Sequence, residues 1–261
     1  MNDNDKYLNF AKDIANYAGS IMKKYFNTNN DASYKIDHTI VTRADKEINS
    51  YLVEKVKEVF PNHSVDGEEE GFGESNYVWV CDPVDGTAMY ARGIPTAVFS
   101  LALVVDGSPI VGVVYDPFCD NLYTAVKGMG AFKNDEKISV NSYLLSDKES
   151  VSNLDIWPEA EYNLIEAIKR LGEKTYFVGI GSVIHAGMCV ADGKFNLAIF
   201  PGTKHKNCDI AAVKIIVEEA GGIVTDLFGN EQRYDKDIKG AIISNKVVYD
   251  EVLNTIKKYL K

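Results

Sequence analysis

Apolar residues return every three or four positions along the first stretch of the chain. Leu8, Ala11, Ile14, Ala15, Ala18, Ile21, Met22 and Tyr25 share one face of a helix over 5–26. Turn formers from Asn27 to Asp31 end it, and the segment to Asp37 reads as an exposed loop. Ile48, Leu52, Val56 and Val59 repeat the helical spacing over 43–60, which Pro61-Asn62 closes. The period then shortens. Runs at 77–81, 97–106 and 110–116 read as strands, the last two joined through Asp106-Gly107, and 121–126 and 131–140 continue in the same manner around Gly128 and Gly130. Beyond about 145 the elements alternate. Strands are expected near 150–154, 175–179, 195–200, 223–226 and 239–243, and helices over 159–171, 182–192, 209–220 and 246–260, with Gly221-Gly222 as a helix stop. The chain is a mixture of α and β whose organisation changes near 145, which divides 1–145 from 146–261.

At 261 residues and 46% hydrophobic, the chain has ample core for one large domain or two modest ones. Its net charge of −10 speaks against binding nucleic acid or an anionic membrane. It does not exclude a phosphate ester, because bound cations invert the local field. The start, Met1-Asn2-Asp3-Asn4-Asp5, carries no leader pattern, and no apolar run reaches membrane-spanning length. Cys81, Cys119, Cys189 and Cys208 form no CxxC pair and read as reduced thiols, which points to a cytoplasmic protein.

The densest chemistry is Asp82-Pro83-Val84-Asp85-Gly86-Thr87, directly after the apolar run Tyr77-Val78-Trp79-Val80-Cys81. Two carboxylates so close repel unless a cation lies between them. Hard cations, Mg²⁺ above all, take carboxylates, carbonyls and phosphate oxygens. Two further acidic features join it: Glu68-Glu69-Glu70 after Asp66-Gly67, and Asp209 at the start of the 209–220 helix. Alone, each has a plain reading as a turn, a solvated loop or an N-cap. Together they supply the oxygens of a metal cluster. A short helix from Gly86 would add free N–H groups for an anion, and Gly181-Ser182 opens the 182–192 helix in a similar but weaker way. His38, His63, His185 and His205 share no spacing and are not read as ligands. No P-loop, G-x-G-x-x-G or G-x-S-x-G string is present.

Gly67-Glu68-Glu69, Asp82-Pro83-Val84-Asp85-Gly86-Thr87 and Asp209-Ile210-Ala211-Ala212…Glu219-Ala220-Gly221-Gly222 resemble the signatures of the inositol monophosphatase family, in order and spacing over nearly the whole chain. Asp45, in Val41-Thr42-Arg43-Ala44-Asp45, resembles the family's upstream aspartate. The resemblance implies an α+β fold, a layered α-β-α-β-α sandwich of the inositol monophosphatase / fructose-1,6-bisphosphatase type. It implies Mg²⁺-dependent hydrolysis of a small phosphate monoester by metal-activated water without a phosphoenzyme, in a homodimer sensitive to Li⁺. Carried over, Glu68, Asp82 and the Val84 carbonyl would hold one metal, Asp82, Asp85 and Asp209 a second, and Glu68 would assist a third. Asp45, Glu68 and Thr87 would form the catalytic set, with Glu69 in support. Asp85, Gly86, Thr87, Ala88, Gly181, Ser182 and Asp209 would meet the substrate.

The chain departs from the family pattern in places. Cys208 stands where the family usually has Trp, and Ala88-Met89-Tyr90 replace a small hydroxyl residue, Asn and an aromatic. The stretch 200–207 lacks the glutamate that inositol-directed members use for ring hydroxyls, and offers Lys204 and Lys206 instead. Inositol monophosphate, fructose 1,6-bisphosphate and 3′-phosphoadenosine nucleotides all stay open as substrates, as does a catalytically silent binding role. A haloacid-dehalogenase-type Asp-x-Asp-Gly-Thr nucleophile competes, but two residues separate Asp82 from Asp85.

Overall fold

The structure is a computed structural model that describes residues 3–28, 33–34, 40–157, 160–203 and 207–260. His38, Lys204, His205 and Lys206 lie outside the described residues. The chain runs α1 (Asp3–Tyr25), β1 (Ser33–Tyr34), β2 (Ile40–Val41), α2 (Arg43–Val59), β3 (Ser64–Gly67), β4 (Gly71–Phe72), β5 (Tyr77–Asp85), α3 (Thr87–Tyr90), β6 (Val98–Val105), β7 (Ser108–Asp116), β8 (Asn121–Val126), β9 (Ala131–Lys133) and β10 (Glu136–Lys137). It continues through β11 (Val151–Leu154), α4 (Ile165–Gly172), β12 (Tyr176–Val178), α5 (Val183–Ala191), β13 (Leu197–Phe200), α6 (Ala211–Glu219), β14 (Ile223–Thr225), β15 (Ala241–Ser244) and α7 (Tyr249–Tyr259).

Strands β3 to β10 form one eight-stranded sheet in the order β10-β9-β8-β7-β6-β5-β3-β4, and a five-stranded sheet runs β12-β11-β13-β15-β14. Strand β6 shows why the first sheet is buried on both faces. Val98, Ala102 and Val104 face the core shared with α5 and α6, while Phe99, Leu101 and Leu103 face the core shared with α1 and α2. A strand covered on both sides loses polar alternation and reads as a continuous apolar run. Helices α5 and α6 are themselves buried almost all round, because the second sheet covers their other face. Leu197, Ile199 and Ile242 from that sheet then pack against α4 and α7. The result is the expected α-β-α-β-α sandwich. No described helix is long and apolar enough to cross a membrane.

Several element boundaries differ from the sequence reading. The 159–171 helix begins only at Ile165, because Glu161 and Tyr162 donate their N–H groups to the Gly202 and Pro201 carbonyls instead. The 209–220 helix begins at Ala211, and Asp209 lies in the turn before it, so Asp209 is not its cap. The loop expected up to Asp37 contains β1, which pairs antiparallel with β2. The plain reading of Asp82–Asp85 as a turn gives way to strand. β5 continues through it, paired at Asp82 with Ser100 and at Asp85 with Val98, with an irregularity between. That irregularity shifts the register between the two carboxylates at the C-terminal end of β5.

Candidate active site

Asp45 occupies the first turn of α2, and Thr42 caps that helix. Asp45 Oδ2 accepts the Thr42 N–H at 2.8 Å and the Thr42 hydroxyl at 2.5 Å. Its other oxygen, Oδ1, is buried and makes no hydrogen bond among the described residues. Burial pushes the Asp45 carboxyl up to about 7, with the Glu68 and Glu69 charges adding to the rise and the Thr42 bonds opposing it. One turn further on, Asn49 accepts the Glu69 N–H at 3.2 Å and donates to the Glu70 carbonyl at 2.9 Å. This clamps the 68–70 turn to the face of α2 that carries Asp45. Oxygen atoms of Asp45, Glu68 and Glu69 lie within 4.8 Å of one another.

The end of β5 supplies the centre. Asp82 is 2% exposed, and its Oδ1 accepts the Val84 N–H at 3.0 Å. The Thr87 hydroxyl donates to the Val84 carbonyl at 2.8 Å, so Thr87 and Val84 hold each other across the turn. Asp85 Oδ2 accepts the Ser182 hydroxyl at 2.5 Å and the Ile184 N–H at 2.8 Å, which ties the first sheet to the start of α5. Ser182 in turn caps α5 by accepting the His185 N–H at 3.1 Å. Gly86 has φ of 86° and caps α3, and a Cβ there would come within 3.1 Å of the Gly181 carbonyl and the Ser182 Cβ. Only glycine reaches this turn without strain. The N–H groups of Thr87 and Ala88, at the start of α3, have no acceptor within the helix.

From the other side of the cleft, the 207–210 turn brings in Asp209. Asn207 fixes this turn by donating to Asp66 Oδ2 at 2.7 Å and to the Tyr234 carbonyl at 2.9 Å. Ligand atoms of Asp82, Cys208 and Asp209 lie within 4.8 Å of one another. Of the residues expected from the sequence, Glu68, Asp82, Asp85, Gly86, Thr87, Ala88, Gly181, Ser182 and Asp209 line one cleft of about 740 Å³. Asp45, Glu69 and Val84 are not part of that lining; Asp45 and Glu69 meet the cleft residue Glu68, and Val84 meets Thr87. His63 accepts the Trp79 indole N–H at 3.2 Å, and His185 meets the Thr96 carbonyl.

Residues that the sequence reading missed form the rest of the cleft: Arg92, Asp155, Trp157 and Thr203 among them. Asp155 follows the C-terminal end of β11, the edge where open α/β sheets place ligands, a signal that could have found it. Burial raises its carboxyl above the usual range, against the Asn153 side chain, which donates to it at 2.8 Å. Thr42 was also readable, as the start of a Thr-x-x-Asp cap.

These residues fit a hard divalent cation. Asp45, Asp82 and Asp209 are each under 10% exposed; Asp82 stands close to Asp209, and Asp45 close to Glu68 and Glu69, and like charges so buried and close favour a cation beside each group. The orphaned Asp45 Oδ1 faces the same need for a partner.

The profile of the inositol monophosphatase family matches residues 3–261. A protein of Aquifex aeolicus named fructose-1,6-bisphosphatase/inositol-1-monophosphatase is 33% identical, with 100% of this chain and 99% of the relative covered. Inositol monophosphatase 1 of Solanum lycopersicum is 30% identical over 87% of this chain and 86% of its own. Among solved structures, an IMPase of Thermotoga maritima superposes with a TM-score of 0.87 at 29% identity, covering 97% of both chains. The chain belongs to the inositol monophosphatase family and is a phosphoric monoester hydrolase that depends on a divalent cation.

Proposed function

We propose that the protein hydrolyses an inositol monophosphate or a related small sugar phosphate, with two or three Mg²⁺ ions in each site. The observation that carries this is that Glu68, Asp82, Asp85 and Asp209 line one cleft together with Gly86, Thr87 and Ala88 at the start of α3, with Asp45 against Glu68. Glu68, Asp82 and the Val84 carbonyl would hold one ion, Asp82, Asp85 and Asp209 would hold a second, and Glu68 would assist a third. Bound there, such ions acidify water and offset charge on the transferring phosphoryl group. Asp45 Oδ1 takes the proton of the attacking water, and Thr87, held by the Val84 carbonyl, positions that water. The first N–H groups of α3 grip phosphate oxygens. Gly181 and Ser182 close the substrate side, and Glu69 keeps Glu68 in place through Asn49. In this reading residues 1–145 carry most of the ligands, while 146–261 supply Asp209 and the pocket loops.

Fructose 1,6-bisphosphate is the second substrate reading. The double name of the Aquifex relative favours it, as does Arg92, a cation on the cleft wall that could meet a second phosphate. Inhibition by Li⁺ belongs to the same proposal. So does a homodimer, which the exposed Tyr176 and Phe177 on edge strand β12 support. Four free cysteines support a reducing, cytoplasmic setting. The test is phosphate release from a panel of inositol, sugar and nucleotide phosphates with Mg²⁺ and after chelation. Release from none of them at saturating Mg²⁺ sinks the proposal.

A further inference from the structure

We propose that Cys208 adds a sulfur donor to the metal position formed by Asp82 and Asp209, so that this position takes a thiophilic divalent cation of the zinc class in competition with Mg²⁺. The inference rests on the metal-site reading above and goes beyond it, since an Mg²⁺ site is built from oxygens alone.

Cys208 is 3% exposed, and its thiol points at Asp209 Oδ1, 3.8 Å away. Its sulfur and one oxygen each of Asp82 and Asp209 lie within 4.8 Å of one another. Around a tetrahedral zinc ion, with Zn–S of about 2.3 Å and Zn–O of about 2.1 Å, donors stand roughly 3.5 Å apart. The 3.8 Å between the Cys208 sulfur and Asp209 Oδ1 is close to that spacing, and an Asp82 oxygen completes the group within 4.8 Å. The backbone beneath them is already fixed on both sides, by Asn207 to Asp66 and Tyr234, and by Asp82 to the Val84 N–H. Thiolate favours zinc and its softer relatives, whereas carboxylate and water suit magnesium. On binding, the Cys208 S–H bond breaks, a sulfur–metal bond forms, and the proton leaves to water; no oxidant or reductant takes part.

The test uses the full chain stripped with chelator and loaded with Co²⁺ as a spectroscopic probe. The wild type is expected to show a near-ultraviolet sulfur-to-cobalt charge-transfer band, which Cys208→Ser loses and Cys81→Ser keeps. Zn²⁺ affinity, read by competition with a chromophoric chelator, falls roughly tenfold or more in Cys208→Ser, whereas Mg²⁺ affinity changes little. A wild type without the band overturns the proposal, and so does a band that persists in Cys208→Ser. If Cys208→Ser fails to fold, the wild-type spectrum alone decides. Mg²⁺-dependent phosphate release on the same preparation separates the two readings: release without the band overturns the sulfur donor only, whereas absence of Mg²⁺ binding and of release fails the metal site itself.

Discussion

The two ends of the cleft are built in different ways. At the inner end three acidic groups are pinned by backbone or by a partner that is itself pinned: Asp45 by Thr42, Asp82 by the Val84 N–H, Asp85 by Ser182 and Ile184. At the outer end, Arg92 is exposed and Ile156 is 54% exposed. A site that must hold cations and a transition state needs preorganised groups, because reorganising them would cost free energy at the moment of reaction. A site that selects a leaving group can be assembled from loops. The sharpest way to break this contrast is at Asp85. Asp85→Asn keeps an oxygen for Ser182 and Ile184 but loses the charge, and turnover should fall on the order of 10³-fold, about 4 kcal/mol in the barrier. Val84→Ala keeps the carbonyl, so it should cost only a severalfold loss of turnover and roughly 1–3 kcal/mol of stability from the small cavity. Equal kcat losses in the two variants, measured with Mg²⁺ saturating, would show that the inner end does not work through charge.

Asp45 tests whether the inner end is strained without its cation. Its carboxyl titrates near 7 in the folded protein against an ordinary value of 3.8, burial being the main cause. Between these values the folded chain holds a proton that the unfolded chain has released. The Asp45 contribution to the stability of the metal-free protein is therefore present at low pH and is lost as pH rises from 3.8 to about 7. Asp45→Asn removes the titration while keeping an acceptor for Thr42. It should be more stable than the metal-free wild type by roughly 2–4 kcal/mol at pH 8, and by little at pH 4. Added Mg²⁺ should narrow the gap at pH 8, since a cation beside Glu68 favours the charged Asp45. Denaturant unfolding at the two pH values, with and without Mg²⁺, reads all of this, and a gap independent of pH removes Asp45 as its cause.

Gly86 marks where the two ends join. Gly86→Ala places a Cβ at φ of 86°, 3.1 Å from the Gly181 carbonyl and the Ser182 Cβ. The expected cost is about 1–3 kcal/mol of stability, together with a loss of turnover on the order of tenfold as α3 shifts. A variant with wild-type melting temperature and kcat would show that the turn is not what aligns α3.

The same contrast governs what could be read in advance. Asp82, Asp85, Gly86 and Thr87 were legible because their chemistry is local, carried by six contiguous residues after one apolar strand. Even there, composition suggested a turn, and only pairing with Ser100 and Val98, distant in sequence, makes it strand. The layered fold was legible because α1 carries a periodic apolar face, while α5 and α6 are apolar nearly all round, with Lys214, Glu218 and Glu219 the charged positions of α6. The start of α4 was not, since the bonds of Glu161 and Tyr162 to the 201–202 loop are tertiary. The outer wall of the cleft was least legible. It comes from residues 88–92, 155–157, 179–183 and 200–203, four segments that no local pattern connects.

The smallest expected effect lies on that outer wall, at Arg92. Its guanidinium donates to the Ala88 carbonyl at 2.6 Å and lines the cleft, with further N–H groups left to meet a ligand. A second phosphate on a sugar bisphosphate could pair with it, whereas a monophosphate has nothing there to pair. Because Arg92 is exposed, water and salt screen the pair, and its contribution should be at most about 1 kcal/mol. Arg92→Ala should then raise KM for fructose 1,6-bisphosphate severalfold at low salt, raise KM for inositol monophosphate less, and change kcat little for either. Raising the ionic strength should shrink the difference between the two substrates in the wild type, since exposed pairs weaken as the screening length shortens. A fall in kcat of the size expected for Asp85→Asn would place Arg92 with the inner, preorganised end. A salt-independent difference between the substrates would assign their discrimination to shape, with Trp157 and Ile156 as the next residues to replace.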